Sequence, residues 1–164
     1  MKLLSYLAAG RETWGVVVGD GVASLAARTG YATLADFLGS ADFNRRNELV
    51  QGLQAEAPLQ GLTFLPVIPR AEKIVCAVRN YMDHHQEVIA AGMQRELSEE
   101  PPIFLRVWRS QVGHGQPVVF PRVSNTLDWE GELAVIIGKP GRDISADKAY
   151  EHVAGYSIYN DVSV

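Results

Sequence analysis

Apolar and polar positions alternate through much of the first two dozen residues, and alternation is the side-chain period of an extended strand. Residues 3–8 and 13–18 therefore predict two strands, with Val18-Gly19-Asp20-Gly21-Val22 as a tight hairpin turn into a third. The glycines of that turn resemble a phosphate-binding loop, but no helix with the right glycine spacing follows, so the turn reading is kept. Thr33, with Asp36 three residues on, predicts a helix start, and Gly39 supplies its stop. A second helix is predicted over residues 43–54, capped by Asp42 and burying Leu49, Val50 and Leu53. Pro58, Pro66 and Pro69 make residues 57–69 poor helix material and mark a linker. The chain therefore divides near residue 70, into a small β-rich amino-terminal domain with its linker, 1–69, and a second unit, 70–164.

The second unit opens on a β-branched strand at residues 73–78, which delivers the chain into Arg79-Asn80-Tyr81-Met82-Asp83-His84-His85-Gln86-Glu87. A helix starting near Asp83 places His84 and Glu87 at i and i+3 on one face, where a carboxylate can orient an imidazole or hold a water with it. A solvated helix start with an ordinary surface histidine fits the same spacing. Cys76, mid-strand among apolar neighbours, reads as a buried and inert thiol. Residues 95–102 are charged and end in prolines, as in a mobile lid or a plain surface loop. Strands are predicted at residues 103–107, carrying Arg106, and at 118–120 after the turn Gly113-His114-Gly115.

Leu127-Asp128-Trp129-Glu130-Gly131-Glu132-Leu133 then joins a patch of acids to a continuous apolar run. In a strand, Asp128, Glu130 and Glu132 share one face. Neighbouring carboxylates raise one another's pKa unless something positive sits among them, and a hard divalent cation is the simplest candidate. An exposed strand end with solvated acids is the alternative. Residues 134–137 read as a strand buried on both faces. Ser145 with Asp147 predicts a helix that stops at Gly155, which would let a strand at 156–162 return beside residues 130–137.

Composition narrows the class. With 164 residues, 47% of them hydrophobic, the chain can build one sizeable core, or a small domain and part of a larger one. The net charge of −4 and the scattered bases argue against nucleic acid or an anionic membrane as partner, and favour a small molecule or another subunit. A single cysteine excludes an internal disulfide framework. No charged-then-apolar leader opens the chain, so a cytoplasmic setting is expected, and no apolar run approaches the ~18 residues of a membrane span.

The blocks Asn80-Tyr81-x-x-His84-x-x-Glu87, Ile103-Phe104-Leu105-Arg106, Val112-Gly113-x-Gly115, Leu127-Asp128-x-Glu130-x-Glu132-Leu133-Ala134-Val135 and Val153-Ala154-Gly155-Tyr156 through Asn160-Asp161-Val162-Ser163 together resemble the fumarylacetoacetate hydrolase family. The resemblance covers roughly residues 70–164, with an opening region similar to the small amino-terminal domain of many members. It implies that Glu130, Glu132 and Asp161 hold a divalent ion and that His84 and Glu87 form a dyad handling a water or proton. It also implies substrate contacts at Tyr81 and Arg106, although many members carry lysine where Arg106 stands, and a homodimer as the complete chain. An oxygen-only ligand set favours Mg2+, Mn2+ or Ca2+ over Zn2+. The chain stops before the later strands of the family fold, so a carboxy-terminally truncated fragment is expected, one that self-associates and lacks turnover by itself.

The expectation is an α+β protein: an incomplete, mixed, β-rich sheet of the family type behind a small β-rich amino-terminal domain. Its expected function is divalent-metal-dependent hydrolysis, decarboxylation or isomerisation of a small β-keto or 2-oxo diacid through a metal-stabilised enolate. A metal-stabilised binding module without turnover is the alternative from another class.

Overall fold

In a computed structural model, which describes residues 1–78, 80–92, 100 and 102–164, the chain packs as two units. One comprises Met1–Pro69 with Val112–Val164, and the other Arg70–Gln111. The expected domains, 1–69 and 70–164, are read from composition along the chain; the packed units also divide at Pro69/Arg70 but group residues 112–164 with 1–69. The segment 95–102, expected as a lid or a plain surface loop, lies almost entirely outside the described residues, and Arg79 lies outside them too.

The larger unit begins with strands β1 (Leu3–Ala8), β2 (Arg11–Val18) and β3 (Gly21–Ser24), joined in antiparallel register as the alternation predicts. Gly19, at φ 56°, adopts the left-handed backbone that the turn needs and that glycine takes without strain. Two short strands, β4 (Ala57–Pro58) and β5 (Thr63–Phe64), extend the sheet to the order β4-β3-β2-β1-β5. One sheet face buries Leu4, Tyr6 and Val22; the other carries Trp14, Val16 and Ala23 under helices α1 (Ala26–Thr29) and α2 (Leu34–Leu38). Phe37 stacks on Trp14 at 4.8 Å between ring centroids, and the Trp14 indole donates to the Tyr31 carbonyl at 2.9 Å. The predicted capping box is present: Asp36 N–H donates to Thr33 Oγ1 at 3.1 Å, and Thr33 N–H to the Asp36 carboxylate at 3.2 Å.

The helix expected over residues 43–54 is shorter and broken. A 3-10 turn at Ala41–Arg45 leads into α3 (Arg46–Val50). Asp42 does not cap it, because its carboxylate accepts the Tyr31 hydroxyl at 3.0 Å and lies inside the turn. Leu49, Val50 and Leu53 still pack on the core as expected.

In the same unit, β8 (Gly131–Ile137) and β9 (Val153–Asn160) form an antiparallel ribbon, so the returning strand is where the sequence placed it. Between them lies a 3-10 turn, Ala146–His152, in place of the predicted α-helix. It ends at His152 because Gly155 is already paired with Ile136 inside β9. Residues 118–120 are irregular instead of a strand. The register slips by one residue at Ile136/Ile137, and both Ile136 and Ala154 lean on the amino-terminal core. Gly138 permits this approach, since a Cβ there would lie 2.7 Å from the Ala154 Cβ and 3.1 Å from the Leu38 carbonyl oxygen.

The smaller unit pairs β6 (Ile74–Ala77) with β7 (Ile103–Arg106) in antiparallel register and carries α4 (Met82–Ala90). Cys76 is half-buried rather than sealed in a core. The protein is thus an α+β chain of mixed elements.

Candidate functional site

The chain leaves β6 and enters α4 through Tyr81, which holds the extended N-cap conformation (φ −105°, ψ 133°) and is 47% exposed. His84 and Glu87 follow on the helix at i and i+3, both exposed, and no hydrogen bond joins them among the described residues. The predicted helix is therefore present one residue earlier than expected, and the dyad is present as a spacing, not as a made bond. Arg106 closes β7 opposite Ile74, half-buried, with its guanidinium 5.2 Å from the centre of the Phe104 ring.

The three expected ligands lie on the other unit, and the ribbon's register decides their facing. Gly131 pairs with Asn160 and Glu132 with Tyr159, while Asp161 N–H donates to the Glu130 carbonyl at 2.8 Å. Glu130 is therefore opposite Asp161. Directly opposed residues share a face, as do residues two apart on one strand, so Glu130, Glu132 and Asp161 all belong to one face at the open end of the ribbon. Asp161 is 5% exposed, and Glu130 and Glu132 are half-buried. Asp128 shares the face but is exposed.

These donors fit a hard divalent ion in chemistry, being oxygen-only, and in facing. The side chains are not drawn together, for among the described residues no three acidic, histidine or cysteine groups converge on a point. Glu130 is engaged elsewhere: its Oε1 accepts the Ser163 hydroxyl, and its N–H donates to Asn160 Oδ1 at 2.9 Å. Ser163 is itself fixed by a backbone bridge to Asp128, with N–O distances of 2.9 and 3.2 Å. Sequence reasoning gave no role to Asn160 or Ser163. The signal lies in the pairing register, which places residue 163 diagonally across from Glu130.

Taken unit by unit, the ribbon face carries oxygen donors of the kind a hard cation takes, and α4 carries an imidazole and a carboxylate three residues apart, the residue types that general acid–base chemistry uses. Among the described residues no helix is long and apolar enough to cross a membrane.

Comparison with known proteins gives the same outline. Residues 73–164 match the model of the fumarylacetoacetate hydrolase C-terminal family. Human mitochondrial oxaloacetate tautomerase FAHD2A is 42% identical over 106 residues, which is 65% of this chain and 32% of that protein. Oxaloacetate tautomerase YisK of Bacillus subtilis is 40% identical over 99 residues, 60% of this chain and 32% of that one. The chain thus spans about a third of the curated relatives it matches. Among solved structures, maleylpyruvate hydrolase from Sphingobium sp. SYK-6, in complex with manganese(II) and pyruvate, is 27% identical with a TM-score of 0.75. The match covers 98% of this chain and 58% of that one. Fumarylacetoacetate hydrolase from Exiguobacterium antarcticum gives 28% identity and a TM-score of 0.69 over 99% of this chain and 56% of its own. With more than half of its length inside the family model and this fold shared with its solved members, the chain belongs to the fumarylacetoacetate hydrolase family.

Proposed function

We propose that this chain carries the metal-binding and proton-handling parts of an enzyme that hydrolyses, decarboxylates or tautomerises a small β-keto or 2-oxo diacid. The observation carrying the reading is the register that sets Glu130, Glu132 and Asp161 on one face of a ribbon. Support for a divalent metal comes from the manganese in the Sphingobium hydrolase, and support for oxo-acid chemistry from the names of the relatives.

In this reading residues 70–164 are the catalytic part, and Glu130, Glu132 and Asp161 hold Mg2+ or Mn2+, with Ca2+ as a further candidate. When bound, such an ion supplies a Lewis acid for the adjacent carboxylate and carbonyl oxygens of an oxo acid. His84 accepts or returns a proton at the substrate carbon or a water, and Glu87, one turn away, orients the imidazole. Arg106 and Tyr81 bind the substrate's carboxylate end by charge and by hydroxyl donation. The full-length protein is a cytoplasmic homodimer in this reading.

The test is a turnover screen of the full-length protein with Mn2+ or Mg2+ against oxaloacetate, acylpyruvates and hydroxymuconate-type diacids. His84→Ala should leave Mn2+ bound and lower turnover on the order of a hundredfold. Loss of Mn2+ on that change would show the roles to be wrong, and inertness toward all three substrate classes at full Mn2+ occupancy would favour a binding module.

A further inference from the structure

We infer that Ser163 is a positioning residue for Glu130: it holds one carboxylate oxygen so that the other is the one offered to a divalent cation. This deepens the proposed function and rests on its ligand set. The first ground is placement. Asp128, Glu130 and Glu132 on one strand and Tyr159, Asp161 and Ser163 on the return share a face, so Ser163 is the diagonal neighbour of Glu130 among the carboxylates.

The second ground is how Glu130 is held. Its N–H is tied to Asn160 Oδ1, its carbonyl receives Asp161 N–H, and its Oε1 receives the Ser163 hydroxyl. Backbone on both sides and one side-chain oxygen are thereby fixed, leaving Oε2 as the carboxylate oxygen that takes no hydrogen bond among the described residues. The donor is equally constrained, because the Asp128 bridge takes both backbone groups of Ser163 and leaves only its hydroxyl to act. A hydroxyl donating to a carboxylate orients it and disperses its charge, which lowers repulsion among three neighbouring acids before a cation arrives. Groups in this supporting position typically change metal affinity by about 10–100-fold when removed.

The test uses the 164-residue chain and Mn2+ as probe, with affinity from calorimetric titration and site symmetry from the Mn2+ electron paramagnetic resonance spectrum. Ser163→Ala keeps the backbone bridge, so the melting temperature without metal should stay unchanged while Mn2+ affinity falls at least tenfold and the spectrum alters. Ser163→Thr, which retains the hydroxyl, should restore both. Glu130→Gln separates the possible failures. If Ser163→Ala binds like the unaltered chain while Glu130→Gln does not, the inference is overturned and the ligand assignment stands. If Glu130→Gln also binds normally, or the unaltered chain takes up no Mn2+, the ligand assignment falls and the inference with it. A melting temperature lowered by Ser163→Ala, with no rescue by Ser163→Thr, would make the residue merely structural.

Discussion

The isolated chain should self-associate through the outer face of the β8–β9 ribbon, and Ile158→Lys should reverse it. Register pairs Leu133 with Ile158 and Val135 with Tyr156, and these side chains are 60%, 86%, 48% and 57% exposed. Ile137, 62% exposed, extends the same face, and none of the five carries a charge. Together they present on the order of 600 Å² of apolar surface, at the upper end of what a monomer tolerates. If two copies bury half of both patches, the gross gain is about 15 kcal/mol. Lost freedom on association takes back about 4–15 kcal/mol, so a net near 5 kcal/mol and a dissociation constant on the order of 100 µM follow. Ile158→Lys puts a charge on the most exposed of these positions in both copies and should weaken association more than tenfold. Sedimentation velocity over roughly 10–500 µM would read this out, with Val123→Lys, at a site 94% exposed in a loop, as control. A chain monomeric across that range, or an Ile158→Lys protein that associates as before, would refute the reasoning.

Phe37→Ala should cost about 3–5 kcal/mol in denaturant unfolding, because the ring is 1% exposed and touches Trp14, Tyr31 and Phe43. Glu56 gives a pH dependence: the Arg28 guanidinium beside it, and then Ser24 N–H, hold its carboxyl below the usual 4.5. A depressed folded value means stability present above the unfolded pKa and lost as pH falls through the folded one. Since the pair is 51% and 43% exposed, solvent screening keeps the effect under about 1 kcal/mol. Thermal melts should show Glu56→Gln slightly less stable at neutral pH, with the difference fading on acidification or added salt.

What the sequence made legible was local chemistry with a local readout. Val18-Gly19-Asp20-Gly21-Val22 could only turn, Thr33 and Asp36 could satisfy each other's backbone, and both signals are found as read. Asp42 looked like a cap of the same kind and was not one, because its partner is Tyr31, eleven positions away along the chain. Ser145 likewise stands at an N-cap, but its side chain makes no cap hydrogen bond, and the turn it opens is too tight for an α-helix. Long-range partners decide such residues, and spacing alone does not reveal them. At the site, the common face of Glu130, Glu132 and Asp161 follows from period two and one pairing register, which is why strand patterning reached it. The engagement of Glu130 by Ser163 depends on the diagonal of that ladder, a relation that appears only once both strands are laid side by side.

The run at residues 134–137 states the remaining difference most sharply. Four apolar residues in succession predict burial on both faces, yet the strand alternates: Ala134 and Ile136 turn inward, while Val135 and Ile137 stand in solvent. The other ribbon repeats the pattern, with Val75 paired to Leu105 and Ala77 to Ile103, and Val75, Leu105 and Ile103 all more than half exposed. Strands that face water on one side normally carry polar residues there, so apolar composition on both faces encodes two covers for each ribbon. The chain provides one of the two for β8–β9, through Ile136 and Ala154 on the amino-terminal core. The opposite face, with Leu133, Val135, Ile137, Tyr156 and Ile158, stays exposed. The expected burial on both faces is therefore not met at Val135 and Ile137, because only the face carrying Ala134 and Ile136 meets the amino-terminal core, and the face left in solvent is the surface on which the association experiment turns.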